Sequence, residues 1–186
     1  ELRFSVNDSG QITRSCNEQR IRESEDICVR AAQLLKARHN VRQGVHINLL
    51  KRIPTGAGLG GGSSDAATVL VALNKLWSCG QSSQPLAGLG LELGADVPVF
   101  VHGHSALAQG KGEMLRPVTL GTRYYVLVFP DFGVSTAEVF RHPRLRRDSK
   151  PLDLAKVKLR PGRNDCESAV MDIHPQLRVI MQELYR

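Results

Sequence analysis

The chain has 186 residues, 41% of them hydrophobic and 23% charged, which excludes a disordered polar segment and fits one domain, or one domain with part of a second. Lysine and arginine exceed aspartate and glutamate by 25 to 18, and the resulting formal charge of +7 favours anionic partners, either nucleic acid or small phosphorylated molecules. No apolar run approaches the ~20 residues of a membrane helix, no basic-then-apolar leader opens the chain, and the cysteines form no C-x-x-C pair, so a cytoplasmic chain with free thiols is expected.

Leu2, Phe4 and Val6 alternate with polar residues up to a turn cluster at 7–10, which predicts an opening strand. Glu25 and Asp26 then precede a helical pattern in which Ile27, Ala31, Leu34 and Leu35 share a face, with Lys36, Arg38 and His39 placed to suit the dipole. Val45, Ile47 and Leu49 alternate as a second strand. A glycine-rich stretch, "IPTGAGLGGGSSDAA", follows at 53–67, and Ala66, Val69, Leu70, Leu73 and Trp77 continue it as a helix. A shorter helix is predicted from Pro85 to a break at Gly94. The apolar "YYVLVF" at 124–129 predicts a buried strand, and the polar stretch 141–163 a surface connection. A last helix begins near Asp165 or Pro175. The chain opens inside a strand pattern and stops inside a helical one, so both ends are expected to be cut. Strands interspersed with helices indicate an α+β or α/β fold.

Glycine in an ordered segment costs conformational entropy, so five of them in 53–67 require a reason. The order is strand, glycine turn, then Ser63, Ser64 and Asp65 at a helix start. Unbonded N–H groups and the dipole at such a start favour an anion, and absent Cβ atoms let the backbone approach it. Ser63 and Ser64 are expected to cap the helix, with their hydroxyls also available to a phosphate oxygen or its magnesium ion. A Walker A loop is excluded because no lysine precedes Ser63. Gly56, Gly58 and Gly61 do spell G-x-G-x-x-G, yet no acidic residue stands about 20 positions on to meet a ribose. The stretch therefore predicts a phosphate loop, with an NAD site or an unliganded linker as the weaker readings.

"PTGAGLGGGSSDAA" resembles the second motif of the GHMP small-molecule kinases, and "GADVPVFVHGHSALAQGKGE" at 94–113 extends the resemblance. It runs from "ELRFSV" to "NDCESAV" at 164–170, nearly the whole chain. The resemblance implies a GHMP kinase fold of the α+β class. Residues 1–120 would be a ribosomal-protein-like α/β domain that binds ATP and lacks its own N-terminal part, and 121–186 the start of a ferredoxin-like C-terminal domain. It implies ATP and Mg2+ as cofactors, with ATP phosphates on Pro54, Thr55, Gly56, Ala57, Gly58, Leu59, Gly60, Gly61, Gly62, Ser63 and Ser64. The implied partner is a small alcohol bearing a cytidine diphosphate; no nucleic acid or membrane is implied, and a homodimer stays open.

Asp96, in Gly-Ala-Asp-Val-Pro, matches the family's catalytic aspartate, which accepts the acceptor hydroxyl's proton; on the bare residues a turn-capping role is the alternative. Within "GVSTAEVF" at 133–140, Phe140 matches an aromatic that stacks on cytosine, and Thr136 stands one helical turn earlier; a core phenylalanine is the alternative. The family's lysine, in a Pro-x-Lys-x-Asn segment, has no counterpart here, and neither Lys51 nor Lys111 stands in its context. The family's downstream glycine-rich motif is also missing, so weak or no turnover is expected. Asp26 falls where some relatives place an asparagine near adenine, and its role stays open. His102 and His104 lack a third metal ligand nearby. The competing functions are another GHMP kinase, a nucleotide-binding remnant without catalysis, and a basic nucleic-acid module. Against the last, aromatics are only 5% of the residues and do not interleave with the basic ones.

Overall fold

The computed structural model describes residues 1–18, 22–122, 124–149 and 164–184. They belong to two units, Glu1–Val128 and Phe129–Arg186. In the first unit the alternation of Val45, Ile47 and Leu49 produces strand β3 (Gly44–Leu49), the middle of a three-stranded sheet of order β1-β3-β2. β1 (Leu2–Asn7) pairs with it antiparallel, from Leu2 opposite Leu49 to Asn7 opposite Gly44. β2 (Ile12–Cys16) pairs with it parallel, and a parallel pair requires a crossover, which contains helix α1 (Ile27–Arg38).

β2 is an addition to the expected elements. Its pattern is obscured because Arg14 is turned inward, its side chain only 7% exposed beside Asp26. On β3, Val45, Ile47 and Leu49 are buried, while His46 is met by the hydroxyls of Thr13 and Ser15 at 2.9 and 3.1 Å.

Among the described residues, four α-helices form this unit's helical layer. α2 (Gly61–Leu76) packs against α1, and α3 (Ser83–Leu93) and α4 (Val97–His102) pack against α2 and one another. Leu35, Ile47, Val69, Leu70 and Leu73 are fully buried between sheet and helices, each worth about 1.5–3 kcal/mol. α3 starts at Ser83, so Pro85 lies in its first turn, where its missing N–H costs no helical bond. A hairpin, β4 (Ala106–Gln109) with β5 (Met114–Pro117), follows α4 and is also an addition.

The run 124–129 is not the buried strand that its composition predicts. It forms no strand, and Tyr124 and Val126 are 95% and 84% exposed. A strand needs a neighbour to take up its N–H and C=O groups, and among the described residues none pairs with this run.

The second unit contains α5 (Thr136–Arg141), α6 (Glu167–Ile173) and α7 (Leu177–Leu184), with no strand among its described residues. The expected last helix is thus two helices, separated at His174 and Pro175. Arg144 donates to both carboxylate oxygens of Asp172 at 2.8 Å, and Phe132 stacks on His174. Of the expected surface connection, residues 150–163 lie outside the described residues.

Candidate functional site

Gly56, Gly58 and Gly60 have φ of +77°, +69° and +67°, a left-handed conformation that residues with a Cβ rarely adopt. Left-handed residues recurring in a turn form concavities lined by N–H groups that hold anions. α2 starts directly behind them, with Gly60 as its N-cap. The first helical bond runs from the Ser64 amide to the Gly60 carbonyl at 2.9 Å, so the amides of Gly61, Gly62 and Ser63 have no acceptor within the helix. The dipole adds partial positive charge at the same place. Ser63 and Ser64 are not the cap expected of them; they lie inside the first turn, because Gly60 already occupies the capping position.

A cleft of about 260 Å3 opens at this turn, lined by residues 54–63 and 26–28 with Leu49, Lys51 and Asp65. The predicted phosphate-loop residues Pro54, Thr55, Gly56, Ala57, Gly58, Leu59, Gly60, Gly61, Gly62 and Ser63 therefore share one cavity. Ser64 is not in its lining; its carbonyl accepts from the Thr68 hydroxyl at 2.8 Å. At the other wall Asp26 caps α1, its Oδ1 accepting from the Cys28 amide at 2.7 Å and its Oδ2 lying 3.1 Å from Arg14 Nε. Burial, and then the nearby charge of Asp26, push the Cys28 thiol well above its ordinary range and keep it protonated.

Lys51 was not a sequence candidate. It leaves β3 and turns under the glycine loop, where its ammonium pairs with Asp65 on the first turns of α2. The two side chains are only 10% and 19% exposed. Ile53 Cγ2 and Lys51 Nζ lie 3.0 and 3.1 Å from where a side chain on Gly61 would begin, so that glycine is fixed by close packing. The sequence signal for this pair is weak, since fourteen residues and the whole turn separate the partners.

Asp96 is exposed at the N-cap of α4, and its carboxylate makes no capping hydrogen bond. It is not in the cleft lining, but α4 borders the turn: a Cβ on Gly60 would meet Phe100 Cζ at 2.8 Å. Asp96 and Phe100, four apart, share a side of α4. The hairpin turn backs the same helix start, since a side chain on Gly112 would collide with the Ala95 carbonyl oxygen. Lys111 sits exposed on that turn, its amide donating to Glu113 at 2.6 Å.

His102 and His104 have ring centroids 5.8 Å apart, and among the described residues no three His, Cys, Asp or Glu side chains are grouped to hold a metal. Thr136 and Phe140 stand on α5 in the second unit, whose start is capped by Ser135 Oγ accepting from the Glu138 amide. Phe140 is 59% exposed and the buried position belongs to Val139, so Phe140 is not a core residue.

The model for the GHMP kinases N terminal domain matches residues 26–104, the span of the cleft and of Asp96. The chain is 45% identical over all its residues to "4-diphosphocytidyl-2-C-methyl-D-erythritol kinase" of Pseudoalteromonas translucida, covering 65% of that protein. It is 50% identical over 90% of its residues to the protein of that name in Alkalilimnicola ehrlichii, covering 57% of it. The chain thus spans less than two thirds of the length of these curated relatives. A crystal structure of 4-(cytidine 5'-diphospho)-2C-methyl-D-erythritol kinase superposes with a TM-score of 0.72 at 34% identity, over 96% of this chain and 67% of that one. A homoserine kinase from Cytophaga hutchinsonii shares the fold, with a TM-score of 0.61 at 16% identity over 83% of this chain and 52% of that one. Likeness along the length of this chain and a matching loop agree: the chain belongs to the GHMP kinase family.

Proposed function

We propose that the chain carries the nucleotide site of an ATP-dependent kinase that phosphorylates the 2-hydroxyl of 4-diphosphocytidyl-2-C-methyl-D-erythritol, toward isoprenoid precursors. The observation that carries this reading is the glycine turn with three helix-start amides open to an anion. The substrate is taken from the relatives' name. This reading takes the unit Glu1–Val128 as the ATP domain expected over 1–120, and the unit from Phe129 as the start of the C-terminal domain.

In this reading residues 54–63 grip the ATP phosphates through backbone N–H groups, and the walls at 26–28 and Leu49 take the nucleoside. Ser64 supports the turn from within the helix. Asp96 accepts the proton of the attacking hydroxyl as the phosphoryl group arrives, and Phe140 offers its exposed ring to cytosine with Thr136 as a polar neighbour. Mg2+ supplies neutralisation of phosphate charge when bound. The Ser63 hydroxyl is the loop group that would hold it, and phosphate oxygens and water complete a magnesium shell without a protein cage. Catalysis comes from alignment and charge stabilisation, with no covalent intermediate.

The test is phosphoryl transfer from ATP in the natural chain that contains these residues. Asp96→Asn should lower kcat by about 10²–10⁴-fold while leaving ADP affinity unchanged. Unchanged turnover contradicts the role. Equal activity on the acceptor lacking its cytidine points to another alcohol as the substrate.

A further inference from the structure

The cleft's charges do not match a triphosphate. Among the described residues that line it, three have charged side chains, Asp26, Lys51 and Asp65, a formal sum of −1. Arg14 neutralises Asp26 from behind the wall. What an entering anion meets among the described lining residues is therefore the pair Lys51–Asp65, a cation already held by a carboxylate. Lys51 Nζ also lies 3.1 Å from where a Gly61 side chain would start, beside the amides that begin α2. A loop without a lysine of its own thus has one delivered from the end of the preceding strand.

We propose that Lys51 is a phosphate-gripping residue whose ammonium exchanges Asp65 for a nucleotide phosphate, so that Asp65 acts as a built-in competitor that holds affinity down. The proposal rests on the nucleotide reading given above. Its physical basis is that an ammonium released from one buried carboxylate carries a large desolvation cost until another anion replaces it. A phosphate oxygen is that replacement, and it forms a charge-assisted hydrogen bond of the same type. Pairing without phosphate keeps Lys51 from wandering, at the expense of binding strength.

The exchange gives the two partners opposite signs, which a purely structural bridge does not. Binding of ADP and of adenosine would be measured calorimetrically in EDTA, so that no metal contributes, on the wild-type chain and on K51M, K51R, D65N and K51M/D65N, with folding checked by circular dichroism. D65N, which keeps the shape of the side chain, should bind ADP about tenfold tighter and K51M about tenfold weaker, as one charge-assisted contact is gained or lost. K51R should stay near wild type. The D65N gain should vanish in the K51M background and be absent for adenosine. Weaker or unchanged ADP binding in D65N overturns the proposal, as does a gain that adenosine shares. If wild-type ADP binds no better than adenosine, the phosphate reading itself fails and the exchange falls with it, a result distinct from the other two.

Discussion

The glycine turn at 56–60 and the apolar run at 124–128 are both extreme in composition, and they end in opposite physical states. The turn is irregular backbone held on both sides: Phe100 closes against Gly60, and Ile53 and Lys51 close against Gly61. The run has some of the strongest strand-forming side chains in the chain, yet these are largely exposed and no strand forms. The difference is where the partner comes from. The turn's conformation is set by residues that tolerate left-handed φ and by side chains a few positions away or on the adjoining helix. A strand's backbone groups need a neighbouring strand, whatever the side chains prefer.

The largest effect separating the two regions should appear in catalysis. Asp96→Asn, beside the turn, should cost about 10²–10⁴ in kcat, whereas a change in the run should leave kcat alone. Stability comes next. Arg14→Met leaves Asp26 buried beneath the cleft without its cation and should cost about 3–5 kcal/mol in denaturant unfolding. A loss under 1 kcal/mol would mean that the pair is dispensable.

The turn itself can be dissected with two alanines. Gly58→Ala faces open space and carries only the left-handed penalty, about 1–2 kcal/mol. Gly60→Ala adds the collision with Phe100, about 1–3 kcal/mol more for overpacking. Equal melting temperatures for the two variants would break the claim that α4 supports the turn. The smallest effect belongs to the run: Val126→Thr should change stability by less than about 0.5 kcal/mol, since an exposed side chain has little packing to lose.

How much was readable follows the same division. Val45, Ile47 and Leu49, the α1 and α2 faces and the glycine turn before α2 were legible because period and local backbone chemistry encode them. β2 was hidden by an inward arginine, whose reason is the Asp26 carboxylate on another element. The hairpin strands β4 and β5 are four residues each, too short for a pattern. Asp26 carried a visible signal as an acidic residue at a helix start, and the resemblance set it near adenine with its role open, but its ion pair with Arg14 did not show. The pairing of Lys51 with Asp65 had only a weak signal, because the folded turn brings them together across fourteen residues. The strand expected at 124–129 failed for the converse reason: composition states a preference and does not supply a neighbour.

The central claim is that the start of α2 holds phosphate through its own amides, and amide NMR reads those groups directly. On titration with ADP, the resonances of Gly61, Gly62 and Ser63 should show the largest shifts in the spectrum, and adenosine at the same saturation should leave them nearly in place. ADP binding that moves other amides while these three stay fixed would contradict the account.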